Sequence, residues 1–157
     1  EILLITGVVS LASIATYAIF NSASAWYTSN QEVENLNGAI DRIERAVGSS
    51  GTYSSINRAT LESLGGFNTK LNLADISSPS PNVLNLRYDD INSNICSKFV
   101  SKIIDSRNNL TILVNSVAVN QTINSISQQC NNDSNTITIS LRSNISTAGL
   151  TPVVPTP

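Results

Sequence analysis

The chain has 157 residues, with nine Lys or Arg, eleven Asp or Glu, no His and a net charge of −2. Nine scattered cations do not make the clustered basic surface that phosphate backbones require, which argues against nucleic acid as a partner. Ser, Asn and Thr together exceed a third of the residues while aromatics are 5%, a hydrated and weakly charged surface typical of extracytoplasmic proteins. Disorder is the other reading of that composition, opposed by the periodic apolar residues that follow Ser93.

The N-terminus reads EILLITGVVSLASIATYAIF, one carboxylate followed by 19 residues without a charge. A first residue of Glu rather than Met is read as a front that has been processed or trimmed. No charge falls between Ile2 and Gln31. The most apolar part, residues 2–20, would span about 28 Å as a helix, close to the hydrocarbon thickness of a bilayer. A signal peptide has a shorter apolar region preceded by Lys or Arg. A buried core helix stays open as an alternative, since Thr6, Ser10, Ser13 and Thr16 dilute the run. In lipid those hydroxyls can bond back to helix carbonyls, and Gly7 and Ser10 let a second helix approach. The favoured reading is a membrane helix able to pack against others.

Nothing between Phe20 and Gln31 breaks a helix. Val33, Leu36, Ile40, Ile43 and Val47 follow at spacings of 3, 4, 3 and 4, one stripe of a helix, and Trp26 extends it seven residues back. Glu32, Glu34, Asp41, Arg42, Glu44 and Arg45 are expected on other faces, and GSSG at 48–51 ends the element. The prediction is one helix of about 46 residues, on the order of 70 Å long. A short helix is expected at 57–65, before Gly65-Gly66. Residues 67–82, with SSPSP, read as loop. Leu84, Leu86 and Tyr88 alternate with polar residues and predict a half-buried strand. Ile91, Ile95, Phe99, Val100, Ile103 and Ile104 keep helical spacing, with Ser93 as the candidate N-cap. Leu110, Ile112 and Val114 alternate, then Val117 and Val119 resume in opposite parity, so a turn or bulge is expected at Asn115-Ser116. Ile123, Ile126 and Cys130 fall on one side of a short helix, and Ile137, Ile139 and Leu141 form a last strand. The tail TAGLTPVVPTP reads as extended or mobile. Long helix, then strands and short helices mixed, is an α+β class, its strands alternating in polarity for a sheet with one face on the helix.

Two cysteines without any His fit one disulfide, Cys96 to Cys130, in an oxidising compartment, with two buried free thiols as the alternative. The bridge would close a loop of about 35 residues, worth roughly 3–4 kcal/mol by a chain-entropy argument. A catalytic Cys would lack a base. Asp89-Asp90 is the only adjacent acidic pair and reads as a turn or cap before a metal site. Asn-x-Ser/Thr triplets at Asn109, Asn120, Asn132 and Asn144 arise readily by chance among 20 Asn and 37 Ser or Thr. With no phosphate loop, metal spacing or activated nucleophile, the expectation is a protein that is not an enzyme and needs no cofactor or metal.

Glu1 heading ILLITGVVSLASIATYAIF, the stripe running to Val47, and ICSKFVSKII…ISQQCNNDSNTITISL together resemble the type IV pilins. The helix bearing the first Cys, with a second Cys shortly before the final strand, resembles most the type IVb class of bundle-forming, toxin-coregulated and conjugative thin-pilus pilins. The likeness covers nearly the whole chain and rests on combined order, no single motif being diagnostic. It implies a pilin-like α+β fold: a filament-core helix over 1–25, its amphipathic continuation over 26–48, a globular head over 49–148 with two or three short helices and one disulfide, and a Pro-rich tail over 149–157. It also implies a major subunit of an open helical filament, serving adhesion, aggregation or conjugative contact. Such a subunit would be anchored in the inner membrane until a prepilin peptidase and the pilus machinery assemble it outside the cell, with a methylated N-terminus.

In that family a glutamate sets subunit register, usually a few residues inside the mature chain, whereas here Glu1 stands first. Its carboxylate would be neutralised by a neighbour's N-terminal amine, or else rest at the headgroup boundary. Ile2, Leu3, Leu4, Ile5, Gly7, Val8, Leu11 and Ile14 would pack the filament core, and Trp26, Val33, Leu36, Ile40, Ile43 and Val47 would pack helix to head. A minor pilin or secretion pseudopilin, and a single-pass monomeric binding protein, are the alternative functions.

Overall fold

A computed structural model describes residues 2–48, 51–120 and 122–143, with side chains from Thr16 onward except at position 17. The tail at 149–157 and Asn144 lie outside the described residues. The element order is α1 (Ile2–Val47), α2 (Arg58–Ser63), β1 (Leu73–Ser80), β2 (Val83–Ile91), α3 (Ser93–Ser106), β3 (Thr111–Val114), β4 (Val117–Ala118), α4 (Ile123–Gln129) and β5 (Asn135–Arg142). The fold is α+β, with a 46-residue first helix as the apolar periodicity predicts. Among the described residues no helix is long and apolar enough to cross a membrane. The side chains of the apolar run at 2–15 lie outside that set.

The sheet is antiparallel throughout, in the order β1-β2-β5-β3-β4. Residues directly opposite one another share a face. Leu84 opposes Leu141, Leu86 opposes Ile139, and Tyr88 and Val114 both oppose Ile137, so the apolar side chains form one buried layer. The other face carries Asn85, Arg87 and Thr138, with Ser140 Oγ donating to Asn85 Oδ1 at 2.7 Å. On the apolar face lies α1, whose Leu36, Ile40 and Ile43 join one continuous core with the sheet and with Phe99, Val100 and Ile103 of α3. The Tyr88 and Phe99 rings meet edge to face at 5.2 Å.

Four sequence expectations change. Residues 73–80 are strand rather than loop. The strand lies at the sheet edge, where Pro79 needs no ladder partner for its missing N–H, and register shifts occur on both sides of its paired stretch. Ile91 ends β2 instead of opening a helix, because the Asp89-Asp90 pair forms a bulge, with Asp90 at φ 60° and a register shift between Tyr88 and Ile91. The N-cap of α3 is Asn92, not Ser93: its side-chain oxygen accepts from Ile95 N at 3.0 Å. Ile123 stands 82% exposed, since α4 is short enough to bury only Ile126 and, at its cap, Cys130.

The Asn115-Ser116 turn is as expected, a two-residue connection with φ of 51° and 69° at its two residues, the positive-φ backbone that tight hairpins favour. Asn115 also ties this end of the head together, donating to Gln129 O at 3.1 Å and Asn135 Oδ1 at 2.9 Å while accepting from Thr136 N at 3.0 Å. Buried Asn135 donates in turn to the carbonyls of Ile91 and Asn132. The Cys96–Cys130 disulfide closes beside it, joining the first turn of α3 to the cap of α4 across 5.6 Å between Cα atoms.

Candidate functional site

The long helix changes character at Ala25. Every residue with a described side chain from Thr16 to Ser24 is exposed, and Ala25 is the first buried one. Beyond it the buried positions Ala25, Ser29, Glu32, Leu36, Ala39 and Ile43 alternate spacings of four and three, with Val33, Ile40 and Val47 alongside. The predicted head-packing residues Val33, Leu36, Ile40, Ile43 and Val47 are all buried; Trp26 is not, at 55% exposure. Successive residues turn by about 100°, so Trp26 stands a quarter turn off the Ala25 seam. The seven-residue spacing back from Val33 also drifts by about 20° per repeat, which the stripe read from sequence ignores.

Where α1 leaves the head, it carries a collar of apolar surface. Ile19 is 70% and Phe20 72% exposed, with Trp26 and Tyr27 exposed about two turns above. A shallow groove there is lined by Ile19, Ser22, Ala23, Trp26 and Lys98. Two cations of α3 overhang it. Lys98 Nζ donates to Ser22 Oγ at 3.0 Å, and Lys102 Nζ lies 5.2 Å from the Trp26 ring centre, within cation–π reach. Glu1 is outside the described residues. The predicted filament-core residues Ile2, Leu3, Leu4, Ile5, Gly7, Val8, Leu11 and Ile14 have helical backbone, and their side chains are likewise outside.

Above the collar the head is fastened to α1 by polar clamps that the sequence reading missed. Glu32, expected on a solvent face, is fully buried. Thr69 Oγ1 donates to its Oε1 at 2.8 Å, while Lys70 N and Leu71 N donate to its Oε2, the latter at 3.2 Å. Asn35 donates to Asn68 O at 2.6 Å and Arg42 to Gly66 O at 2.7 Å. The segment between α2 and β1 is therefore a strap laid along α1. It turns at Gly65 and Gly66, whose φ of 109° and 74° suit residues without a Cβ. At the far end of α3, Arg107 donates to Asn37 Oδ1 at 2.9 Å and pairs with Asp41 and Glu44 of α1.

Position 32 falls on the 25-29-32-36 seam, and that spacing was the available signal. The donors at 69–71 lie 37 residues or more away in the chain, and no local pattern announces them. The Tyr88 hydroxyl is turned toward the Glu32 carboxylate but makes no hydrogen bond of ordinary geometry. Burial, then the Glu32 charge, push its ionisation well above the usual tyrosine range.

Among the described residues no group of His, Cys, Asp or Glu is placed to hold a metal. The site is an exposed, largely apolar stretch of helix surface with aromatic and cationic side chains at its rim. No protein family, characterised protein or solved structure matches the chain.

Proposed function

We propose that this protein is a structural subunit, without catalytic activity, of an extracellular filament of the type IV pilus kind, held in the inner membrane by α1 before assembly. One observation carries the reading. From Thr16 to Ser24 the described side chains of α1 are exposed, in the charge-free stretch of a helix whose backbone continues down to Ile2. Exposed apolar surface such as that of Ile19 and Phe20 marks a face that lipid or other helices cover. Identical heads on identical apolar rods repeat by contacts that do not close, which gives an open helical polymer. In the membrane the rod is anchored; in the fibre it lies at the axis, with the Ser-, Asn- and Thr-rich heads outside. Glu1 sets the axial register by pairing with the N-terminal amine of a neighbouring subunit.

Glu1→Ala tests this directly. Leaving that amine unpaired in a dry core costs about 3–5 kcal/mol, so filament yield in sheared surface material should fall about a hundred-fold or more. Membrane levels of the subunit should hold. Normal yield from the variant would remove the register role, and a wild-type chain found only as a detergent-extracted monomer would remove the filament.

A further inference from the structure

We propose that Trp26, Tyr27, Lys98 and Lys102 form a docking surface for anionic phospholipid headgroups, which seats the head on the membrane that holds α1. This rests on the membrane-held state of the proposed function. Axial distance supports it: from Ile2 to Ser22 the helix rises about 30 Å, the thickness of the hydrocarbon layer. Lys98 Nζ is fixed at the level of Ser22, bonding its Oγ at 3.0 Å and its carbonyl at 3.4 Å. With Ile2 at one hydrocarbon boundary, that ammonium stands at the other, at the base of the headgroup layer. About 6 Å further along the axis come Trp26 and Tyr27, exposed aromatic rings with polar tips, the side chains that favour the headgroup layer. Lys102 stands over Trp26 at the same height.

Charge is arranged to match. The helix itself carries none from Ile2 to Gln31, so the positive charge at this level comes from α3. Among the described residues neither lysine is in an ion pair, whereas Arg87 and Arg107 are paired with carboxylates. Asp90 and Asp133, exposed beside the Ile91–Asn135 end of the sheet, would be repelled by an anionic surface. The head therefore tilts with α3 lowest, and docking selects one rotation about the α1 axis.

Trp26 is the sole tryptophan and reports its own position. The full chain is inserted into bilayer discs of phosphatidylcholine alone, or of phosphatidylcholine and phosphatidylglycerol in equal parts, and quenching by a headgroup nitroxide is measured. Quenching is expected in both and markedly stronger with phosphatidylglycerol, where the docked head draws the Trp26 ring down among the headgroups. In Lys98→Gln/Lys102→Gln the docked-to-undocked ratio should fall about five-fold per lysine, and Lys98→Arg/Lys102→Arg should restore it. Added salt should mimic the Gln variant. Circular dichroism confirms that each variant is folded. Equal quenching in both lipids, or no response to the Gln pair, overturns the docking surface and leaves the membrane-held state standing. A wild-type chain that fails to insert overturns both.

Discussion

Glu32→Ala is expected to cost the head about 3–5 kcal/mol, a large part of the total stability of a domain this size. The carboxylate is fully buried and accepts from Thr69, Lys70 and Leu71. Alanine leaves the Lys70 N–H without its acceptor and the Leu71 N–H with Thr69 Oγ1 alone, and opens a void beneath the strap. One kcal/mol moves the midpoint of a domain of this length by about 2–4 °C, so melting should drop by about 10 °C or more. Glu32→Gln should be far milder, about 1 kcal/mol. Its amide oxygen can accept from Lys70 N and Leu71 N while its NH2 donates to Thr69 Oγ1, whose proton, no longer needed by a carboxylate, turns to Leu71 O at 2.6 Å. Thermal melts of the two variants decide the matter: equal losses would mean that the buried charge, not the hydrogen-bond pattern, holds the strap.

The same cluster predicts an alkaline limit. An unfolded tyrosine ionises near pH 10. The folded Tyr88 is pushed well above that value, chiefly by burial. Its contribution is complete below the unfolded pKa and is lost as pH climbs from there toward the folded one, because the unfolded chain gives up its proton first. Tyr88→Phe should remove most of that alkaline loss. It should leave neutral-pH stability within about 1 kcal/mol, since the hydroxyl faces Glu32 without the geometry of a full hydrogen bond. Melts followed from about pH 7 to about pH 11 test the sign and the window. Retention of the full alkaline loss in the Phe variant would contradict it.

Removing the disulfide, by Cys96→Ala with Cys130→Ala, is expected to cost about 2–5 kcal/mol. The two residues are separated by 34 positions, and the loop between them contains most of α3, β3, β4 and α4. Both sulfurs are buried, so reductant should act slowly on the folded protein and quickly once it opens. The loss should be uneven. In α4 only Ile126 is buried, and the bridge at its cap is its second anchor. Hydrogen exchange should therefore accelerate first at 123–130, with β2 and β5 following only on global unfolding. Urea unfolding in the oxidised protein and the double variant gives the total, and a difference below about 1 kcal/mol would show that packing alone fixes α4.

The parts legible in the sequence were those where one local period decides. Val33, Leu36, Ile40, Ile43 and Val47 gave the long helix; Leu84-Leu86-Tyr88 and Ile137-Ile139-Leu141 gave the two central strands; the parity change at Asn115-Ser116 gave the hairpin. The expected Cys96–Cys130 bridge is present. What escaped was decided by distant partners. The edge strand at 73–80 is polar and contains Pro79, so it forms because β2 offers it a ladder, not because its own residues alternate. Glu32 was assigned to solvent because charges usually are, and the donors that make its burial tolerable come from a loop with no pattern of its own. Trp26 was placed in the core by a seven-residue spacing that a straight helix does not keep. Its exposure is what leaves an aromatic ring at the collar, beside Lys102.

The collar and the exposed described residues of α1 from Thr16 to Ser24 carry the functional account, and imaging the assembled state tests it most directly. Electron cryo-microscopy of sheared surface appendages from cells producing the chain should yield a helical filament. Its axis should be a bundle of α1 helices, its outer wall the sheet-bearing heads, and density at Glu1 should be continuous with the N-terminus of a neighbour. Filaments lacking this chain, or a reconstruction with residues 16–24 still facing solvent, would contradict the account.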